Sequence, residues 1–162
     1  GAQHRIFGGG LMAQVVIKSA SGFLNFAARI VAAGKFPVTV AVTAGEPTRR
    51  DAQNKLAQRW FTDIARHFGD VTHEDVRADC KLRFGVPIMR RDSEPFKASY
   101  DPIMKHLPYE AKVAAIKAWD LPVTRLMGVK QMTEFMDAVQ REYLPHGVRL
   151  TDPEALKYEV MQ

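Results

Sequence analysis

Apolar residues recur along this chain with two periods, and the change of period separates its opening from the rest. Alternating β-branched side chains predict a strand over 14–20, and valines at every second position behind Pro37 predict another over 37–43. Apolar positions at helical spacing between them, stopped by Gly34, predict a helix over 22–33. The opening is therefore expected to fold as strand, helix and strand.

The segment 49–68 has the period of an amphipathic helix. Leu56, Trp60, Ile64 and Phe68 fall one turn apart, and this stripe is predicted to face the core. Steps of four, three and four residues bring a second set of side chains within about 40 degrees of one another on the opposite side. We name this set the basic ridge, and it consists of Lys55, Arg59, Thr62 and Arg66.

Three more helices are predicted in the second half of the chain, over 73–84, 108–119 and 130–143. Between the first two of these, prolines among polar and aromatic residues over 90–102 predict an irregular loop or a short hairpin. A cap and a proline at 152–153 predict a terminal helix that runs to Gln162.

The helix over 73–84 is predicted from both its ends and its faces. Thr72 and Asp75 form a capping-box pair at its start. Cys80 should turn toward the core and Lys81 toward solvent. A glycine and a proline after the last turn are expected to end the helix.

Together these elements predict an α+β fold, a small β-sheet packed with about five helices in a single domain. This domain is expected to span 12–162. The run of three glycines before Met12 predicts that residues 1–11 are an N-terminal leader or a cloning remnant. Since 46% of the 162 residues are apolar, the chain can form a core without a metal or a disulfide.

Charge and composition narrow the expected partners and compartment. Lys and Arg outnumber Asp and Glu by 23 to 18, a net charge of +5 that favours an anionic partner such as nucleic acid. The single cysteine, Cys80, excludes an intrachain disulfide and predicts a buried thiol in a reducing, cytoplasmic compartment. No apolar run reaches the roughly 18–20 residues that a membrane span requires.

A metal site is not predicted. The residues nearest to such a site are His67, His73, Asp79 and Cys80. Their spacing matches no zinc signature, and they fall on different helix faces. No metal and no cofactor are therefore expected.

Residues at the start of the 49–68 helix add further cationic and amide side chains to those of the basic ridge. Arg49 and Arg50 lie near the positive end of the helix dipole, where they could join the ridge in docking on a phosphate backbone. The amides of Gln53 and Asn54 could reach phosphates or base edges, or could serve as caps and local hydrogen-bonding groups. An ordinary solvated helix face is the alternative to a nucleic-acid site.

A second basic group lies in the predicted loop. Arg90, Arg91 and Lys97 flank two aromatic side chains, Phe96 and Tyr100. The cations would extend the phosphate track, and the rings could stack on bases. A small satellite core beneath the loop is the alternative for the two rings.

Two runs of residues resemble the phage NinB family, also known as the Orf recombination proteins of lambdoid phages. The run Arg49-Arg50-Asp51-Ala52-Gln53-Asn54-Lys55-Leu56 is similar to the signature that opens the main helix of that family. Its closing helix and the turn behind it are similar to Pro122-Val123-Thr124-Arg125-Leu126 followed by Met132, Phe135, Met136, Val139, Tyr143, Gly147-Val148 and Asp152-Pro153. With the strand, helix, strand opening, the likeness covers nearly all of Met12 to Glu154.

The resemblance implies a recombination mediator and not an enzyme. Such a protein is expected to be a homodimer that binds single-stranded DNA in a basic cleft, contacts the single-strand-binding protein of the bacterial host and helps to load a RecA-type recombinase. Two departures matter: Gln58 stands where the family often has a tryptophan, and 95–120 is longer than in its best-known member. Two other functions stay open, a metal-dependent structure-specific DNA nuclease, which needs clustered carboxylates, and a protein adaptor without DNA binding.

Overall fold

A computed structural model of the chain describes residues 15–42 and 48–154. The chain divides into two compact units, 1–47 with 153–162, and 48–152. Every regular element in the two described ranges is helical, and neither range contains a β-strand. The expected α+β fold with its small sheet is therefore wrong, because the described part of the chain is all-helical.

The helices differ in length from about two turns to more than five. They are α1 (Ala20–Ala33), α2 (Arg49–Phe68), α3 (His73–Cys80), α4 (Val86–Asp92), α5 (Glu94–Met104), α6 (Tyr109–Trp119) and α7 (Val129–Tyr143). A π-helical segment, Lys81–Gly85, connects α3 to α4, and short 3-10 turns lie at Thr124–Leu126 and Leu144–His146. α1 belongs to the first unit, and α2 to α7 belong to the second.

Neither predicted strand is formed. No regular structure is formed before α1, at residues 15–19, or after it, at residues 35–42. Positions 14 and 43 lie outside the described residues. The side chains of Val40 and Val42 are 49% and 76% exposed, so the valine alternation does not produce a half-buried face. A short strand needs further strands beside it to be stable, and a period of two in the sequence does not supply them.

α1 confirms the predicted first helix, although it begins at Ala20 and not at residue 22. Ser19 Oγ accepts a hydrogen bond from the backbone N–H of Gly22 at 3.0 Å and caps the first turn. At the other end, Gly34 has a left-handed φ of 62°, and its N–H donates to the carbonyl of Val31. Glycine takes this conformation without steric cost, so the helix ends there as predicted.

α2 has the predicted bounds, and the predicted stripe is buried except at its end, where Phe68 is 44% exposed. Leu56, Trp60 and Ile64 are 8%, 3% and 1% exposed. At the start of the helix, the N–H of Asp51 donates to Thr48 Oγ1 and the N–H of Thr48 donates to Asp51 Oδ2, which completes a capping box. Each buried large apolar side chain contributes roughly 1.5–3 kcal/mol, so packing against α3 and α7 stabilises α2 more than intrinsic propensity does.

The prediction that the third helix ends at Gly85 is wrong. Its capping-box start at Thr72 and Asp75 is confirmed, but after α3 the chain continues through the π-helical segment into α4. A π turn holds an extra residue, so the faces rotate relative to an ideal α-helix. Lys81 is 4% exposed, opposite to the predicted orientation, because its Nζ is enclosed by Asp120 and the carbonyl of Leu121, whereas Cys80 is fully buried as predicted.

The predicted irregular loop over 90–102 is also wrong, because these residues form the end of α4 and most of α5. Ser93 separates the two helices, and its Oγ accepts from the N–H of Phe96 at 3.3 Å. Pro95 stands in the first turn of α5, where a missing N–H costs nothing. Pro95 thus starts a helix here, and Pro102 lies inside α5 without ending it.

The remaining helices match the sequence pattern closely. α6 begins one residue after Pro108, and α7 begins at Val129, one residue before its predicted start. Phe135 and Val139 of α7 are 0% and 1% exposed in the core of the second unit. Predictions for residues 1–11 and for most of the terminal helix lie outside the described residues. No described helix has the length and apolarity needed to cross a membrane.

Candidate nucleic-acid interface

The basic ridge is a feature of the folded second unit. Lys55, Arg59 and Arg66 are all exposed, and Thr62 between them is half-buried. They follow the face of α2 directly opposite to the stripe of Trp60 and its neighbours. With a rise of 1.5 Å per residue, the ridge is about 16 Å long, which is enough for contact with several consecutive phosphates.

The carboxylates of α2 are engaged away from the ridge cations. Asp51 accepts from the Thr48 backbone and hydroxyl at 2.9 and 2.8 Å, and these hydrogen bonds lower the pKa of its carboxyl. Asp63 Oδ2 accepts from the N–H and the hydroxyl of Thr151, both at 2.7 Å. Within the described ranges, neither Lys55 nor Arg66 takes part in an ion pair. Lys55 and Arg66 therefore give this face of α2 a positive potential.

Gln53 lies in a helix-to-helix contact. Its Nε2 donates to Thr133 Oγ1 at 2.8 Å and to the carbonyl of Val129 at 3.3 Å, both on α7. Its Oε1 is buried and has no hydrogen-bond partner in the described part of the chain. Asn54 beside it is half-buried. The geometry of Gln53 favours the local structural role, and a nucleic-acid contact by either amide stays a prediction.

The two arginines at the start of α2 have different surroundings. Arg49 is exposed and lines an open trough in the second unit. Arg50 is half-buried, and its Nε is enclosed without a hydrogen-bond partner among the described residues. Arg49 is therefore available to an anion, and Arg50 is partly covered.

Ion pairs occupy the arginines of the second predicted group. Arg90 Nε and Nη2 donate to the two carboxylate oxygens of Asp101 at 2.7 and 2.9 Å, which ties α4 to α5. Arg91 binds both Asp92 and Glu134, the latter through two bonds of 2.7 and 2.8 Å. Lys97 is exposed on α5. The predicted extension of the phosphate track thus has two of its three cations matched by carboxylates.

The aromatic pair of the same group packs on itself. Phe96 and Tyr100 are stacked, with ring centroids 5.6 Å apart and planes 12° from parallel. Tyr100 is 9% exposed, and burial raises the pKa of its phenol. One face of each ring is thus already covered, as in the satellite-core alternative. Stacking of either ring on a base stays a prediction.

The open trough contains cations that the sequence pattern did not single out. It has a volume of about 820 Å³ and runs between the start of α2, the π-helical segment with α4, and the outer face of α7. Lys130 and Arg141 line it together with Arg49, and both come from α7. Eleven residues are close to three helical turns, so the spacing of Lys130 and Arg141 could have revealed their shared face.

Among the described residues, no three His, Cys, Asp or Glu side chains are grouped so that they could hold a metal ion. Burial raises the pKa of the Cys80 thiol to about 12, which keeps it protonated. Asp79 beside it accepts hydrogen bonds from Arg83, Tyr109 and Tyr143.

Comparisons with known proteins add no relative to this picture. No protein-family model, no curated protein and no solved structure matches the chain. The resemblance to the NinB family therefore rests on the residue runs quoted above, and a function has to be inferred from the side chains of the protein itself.

Proposed function

We propose that the protein binds single-stranded DNA through the basic ridge of α2, without catalysing a reaction on it. The observation that carries this proposal is the exposure of Lys55, Arg59 and Arg66 on one helix face while the acidic side chains of the same helix are engaged elsewhere. Such a row of cations suits a polyanion whose charges repeat along a line.

The expected binding mode follows from the kind of side chain present. Lysine and arginine contacts to phosphates release condensed counterions, so affinity falls steeply as salt rises. Phosphate contacts do not read bases, and we therefore expect little sequence preference. The choice of a single strand, and not a duplex, as the ligand comes from the resemblance to the NinB family.

A salt titration tests the ridge. Binding of a fluorescent oligothymidine is measured by anisotropy at several salt concentrations, for the wild type and for a Lys55→Ala/Arg66→Ala double variant. For a single strand the logarithmic salt slope is about 0.7 per phosphate contact. The double variant should bind more weakly and lose about 0.7 from the magnitude of the slope for each contact removed.

A Lys18→Ala/Arg125→Ala variant is the matched control, since it removes the same charge from exposed positions outside α2 and outside the trough. It should keep most of the wild-type slope. Equal losses in both double variants would show that only net charge matters. An unchanged slope in the ridge variant, with an unchanged circular dichroism spectrum, would refute the ridge as the site.

The two other functions left open by the sequence give different results. A nuclease should release products from labelled single-stranded or branched DNA incubated with magnesium or manganese. An adaptor should show no DNA affinity at low salt while it still binds a single-strand-binding protein. Either result would contradict the proposal.

The wider role implied by the resemblance has its own test. A mediator should shorten the lag before a RecA-type recombinase hydrolyses ATP on DNA that is coated with single-strand-binding protein. The Lys55→Ala/Arg66→Ala variant should lose this effect in proportion to its loss of DNA affinity. DNA binding without any change in the lag would leave a DNA-binding protein that is not a mediator.

A further inference from the structure

A small basic pocket lies in the second unit, on elements that the ridge does not use. It has a volume of about 270 Å³ and is formed by the π-helical segment, α4, the end of α5 and the start of α6. Its lining consists of Leu82, Arg83, Val86, Arg90, Tyr100, Lys105, Tyr109 and Lys112. Four of these eight side chains are cations, and none is a carboxylate.

Two of the four cations are held in place by carboxylates behind them. Arg83 donates to Asp79 at 3.1 Å and to Glu142 at 2.8 Å, and Arg90 makes its two bonds to Asp101. A guanidinium has five N–H donors, so these pairs leave further donors on each arginine. The ion pairs thus fix the position of the two arginines without using all their donors.

The other two cations, Lys105 and Lys112, provide the uncompensated charge. Neither takes part in an ion pair within the described ranges, and Lys112 is half-buried. Both lysines line the pocket, so an anion bound there would be attracted by two ammonium groups that no ion pair occupies within the described ranges. The pocket therefore favours a ligand that carries more than one negative charge.

The rest of the lining indicates what the anion is attached to. Leu82 and Val86 contribute apolar surface, and the ring of Tyr100 adds an aromatic wall. Concave sites for small organic ligands combine such apolar surface with a few polar groups, and they begin near 300 Å³. At 270 Å³ the pocket lies just under this range, which restricts it to one small organic molecule and excludes a length of polymer.

We propose that this pocket binds a small organic phosphate monoester, with the phosphate between Lys105 and Lys112 and the organic part against Leu82 and Val86. A monoester has close to two negative charges at neutral pH, which matches the two uncompensated ammonium groups. The donors that Arg83 and Arg90 do not use in their ion pairs can make charge-assisted hydrogen bonds to the phosphate oxygens. This site is independent of the DNA-binding proposal, because no residue of α2 lines it.

Isothermal titration calorimetry with adenosine monophosphate, adenosine and inorganic phosphate as probes tests the pocket. The monophosphate should bind, adenosine should not, and phosphate alone should bind more weakly than the monophosphate. Loss of one charge-assisted contact in Lys112→Ala or Lys105→Ala should weaken binding about tenfold or more. Lys112→Arg should retain most of the affinity, and Lys55→Ala on the ridge should retain all of it.

Three results would overturn the proposal. They are no heat from any phosphate at millimolar concentration, equal affinity for adenosine and its monophosphate, and wild-type affinity in the Lys105→Ala/Lys112→Ala variant. A 5′-phosphorylated oligothymidine serves as a competitor. Tighter binding of that strand through the same two lysines would assign the pocket to DNA ends and would also refute the small-molecule ligand.

Discussion

At the scale of single residues, the buried Lys81 is the least expected feature of the second unit. Its Nζ donates to Asp120 Oδ1 at 3.1 Å and to the carbonyl of Leu121 at 3.3 Å. Burial, the main influence, lowers the pKa of Lys81, while the bond to Asp120 opposes this shift. Arg77 binds the same carboxylate and lowers the pKa of Asp120. The negative charge of Asp120 thus stabilises the buried ammonium group of Lys81.

Replacement of Asp120 by Asn should therefore destabilise the protein. The variant keeps the size of the side chain, and Asn tolerates the left-handed φ of 45° at this position. It leaves the Lys81 ammonium without its charged partner, which should cost about 1–3 kcal/mol. Urea denaturation followed by circular dichroism measures the change in the free energy of unfolding.

Asp137→Asn is the matched control, since Asp137 is exposed and takes part in no ion pair within the described ranges. It should change stability by less than about 0.5 kcal/mol. In a second variant, Lys81→Met should relieve most of the loss caused by Asp120→Asn, because it removes the unpaired charge. Equal stability of Asp120→Asn and the wild type would contradict the assigned role of Asp120.

At the scale of elements, the π-helical segment brings the backbone close to the turn before α7. A Cβ atom at Gly85 would lie 2.7 Å from Val123 Cγ1 and 3.5 Å from Met127 Cε. Val123 and Met127 are 2% and 1% exposed. Gly85 is thus required for the close approach of two packed segments and not for a special backbone dihedral.

Gly85→Ala should destabilise the protein in spite of the better helix propensity of alanine. Overpacking a core position costs about 1–3 kcal/mol, and the propensity gain of roughly 1 kcal/mol offsets only part of it. Chemical denaturation of Gly85→Ala, Val123→Ala and the double variant gives a double-mutant cycle. The double variant should be more stable than the sum of the single losses predicts. Strict additivity would mean that the methyl group finds space without moving Val123.

Helices whose apolar residues repeat regularly over several turns could be predicted from the sequence. Elements that depend on contacts between distant residues could not. α2 and α7 follow their patterns to within one residue because their stripes face one core. The continuation through Gly85 and Pro87 escaped prediction, since both residues usually end a helix and only packing overrides them. The valines after Pro37 led to the opposite error: they have the period of a strand, but no sheet is formed in the described part of this segment.

At the scale of the whole molecule, ion pairs shape the surface of the second unit. The pKa of Asp92 is lowered to about 2, first by the hydrogen bond from Arg91 and then by that from Gln131. The same direction of shift occurs at the carboxyls of Asp75, Asp101, Asp120, Glu134 and Glu142. All these groups bind protons less readily in the folded state than in the unfolded chain.

Stability should therefore fall on acidification. A carboxyl with a lowered folded pKa stabilises the fold fully above its unfolded value and loses this effect as the pH drops through the folded value. For Asp92 this window runs from 3.8 down to about 2. We expect the urea midpoint to be nearly constant from pH 7 to about 5 and to decrease below about 4.

Arg91→Gln supplies the internal comparison, because it removes the cation from Asp92 and from Glu134 at once. The variant should show a shallower decrease of the midpoint between pH 4 and 2, since the pKa of Asp92 should return toward its ordinary value. The same slope in both proteins would show that Arg91 does not control these carboxyls.

The sequence also located the candidate site only in part. Steps of three and four residues were enough to align Lys55, Arg59 and Arg66, because a helix has one geometry. They could not show that Arg91 meets Glu134, a residue 43 positions away on another helix. Charge counts favour an anionic partner, which stays a prediction, and they could not show which cations are already paired with carboxylates.

The two tryptophans give the protein a built-in optical readout. Trp60 is buried, and its indole N–H donates to the carbonyl of Thr151 at 2.8 Å, whereas Trp119 is 71% exposed. Acrylamide should quench the emission of Trp119 readily and leave that of Trp60 almost untouched. In a Trp119→Phe protein, the fluorescence of Trp60 alone would report when the segment at Thr151 separates from α2, without any added dye.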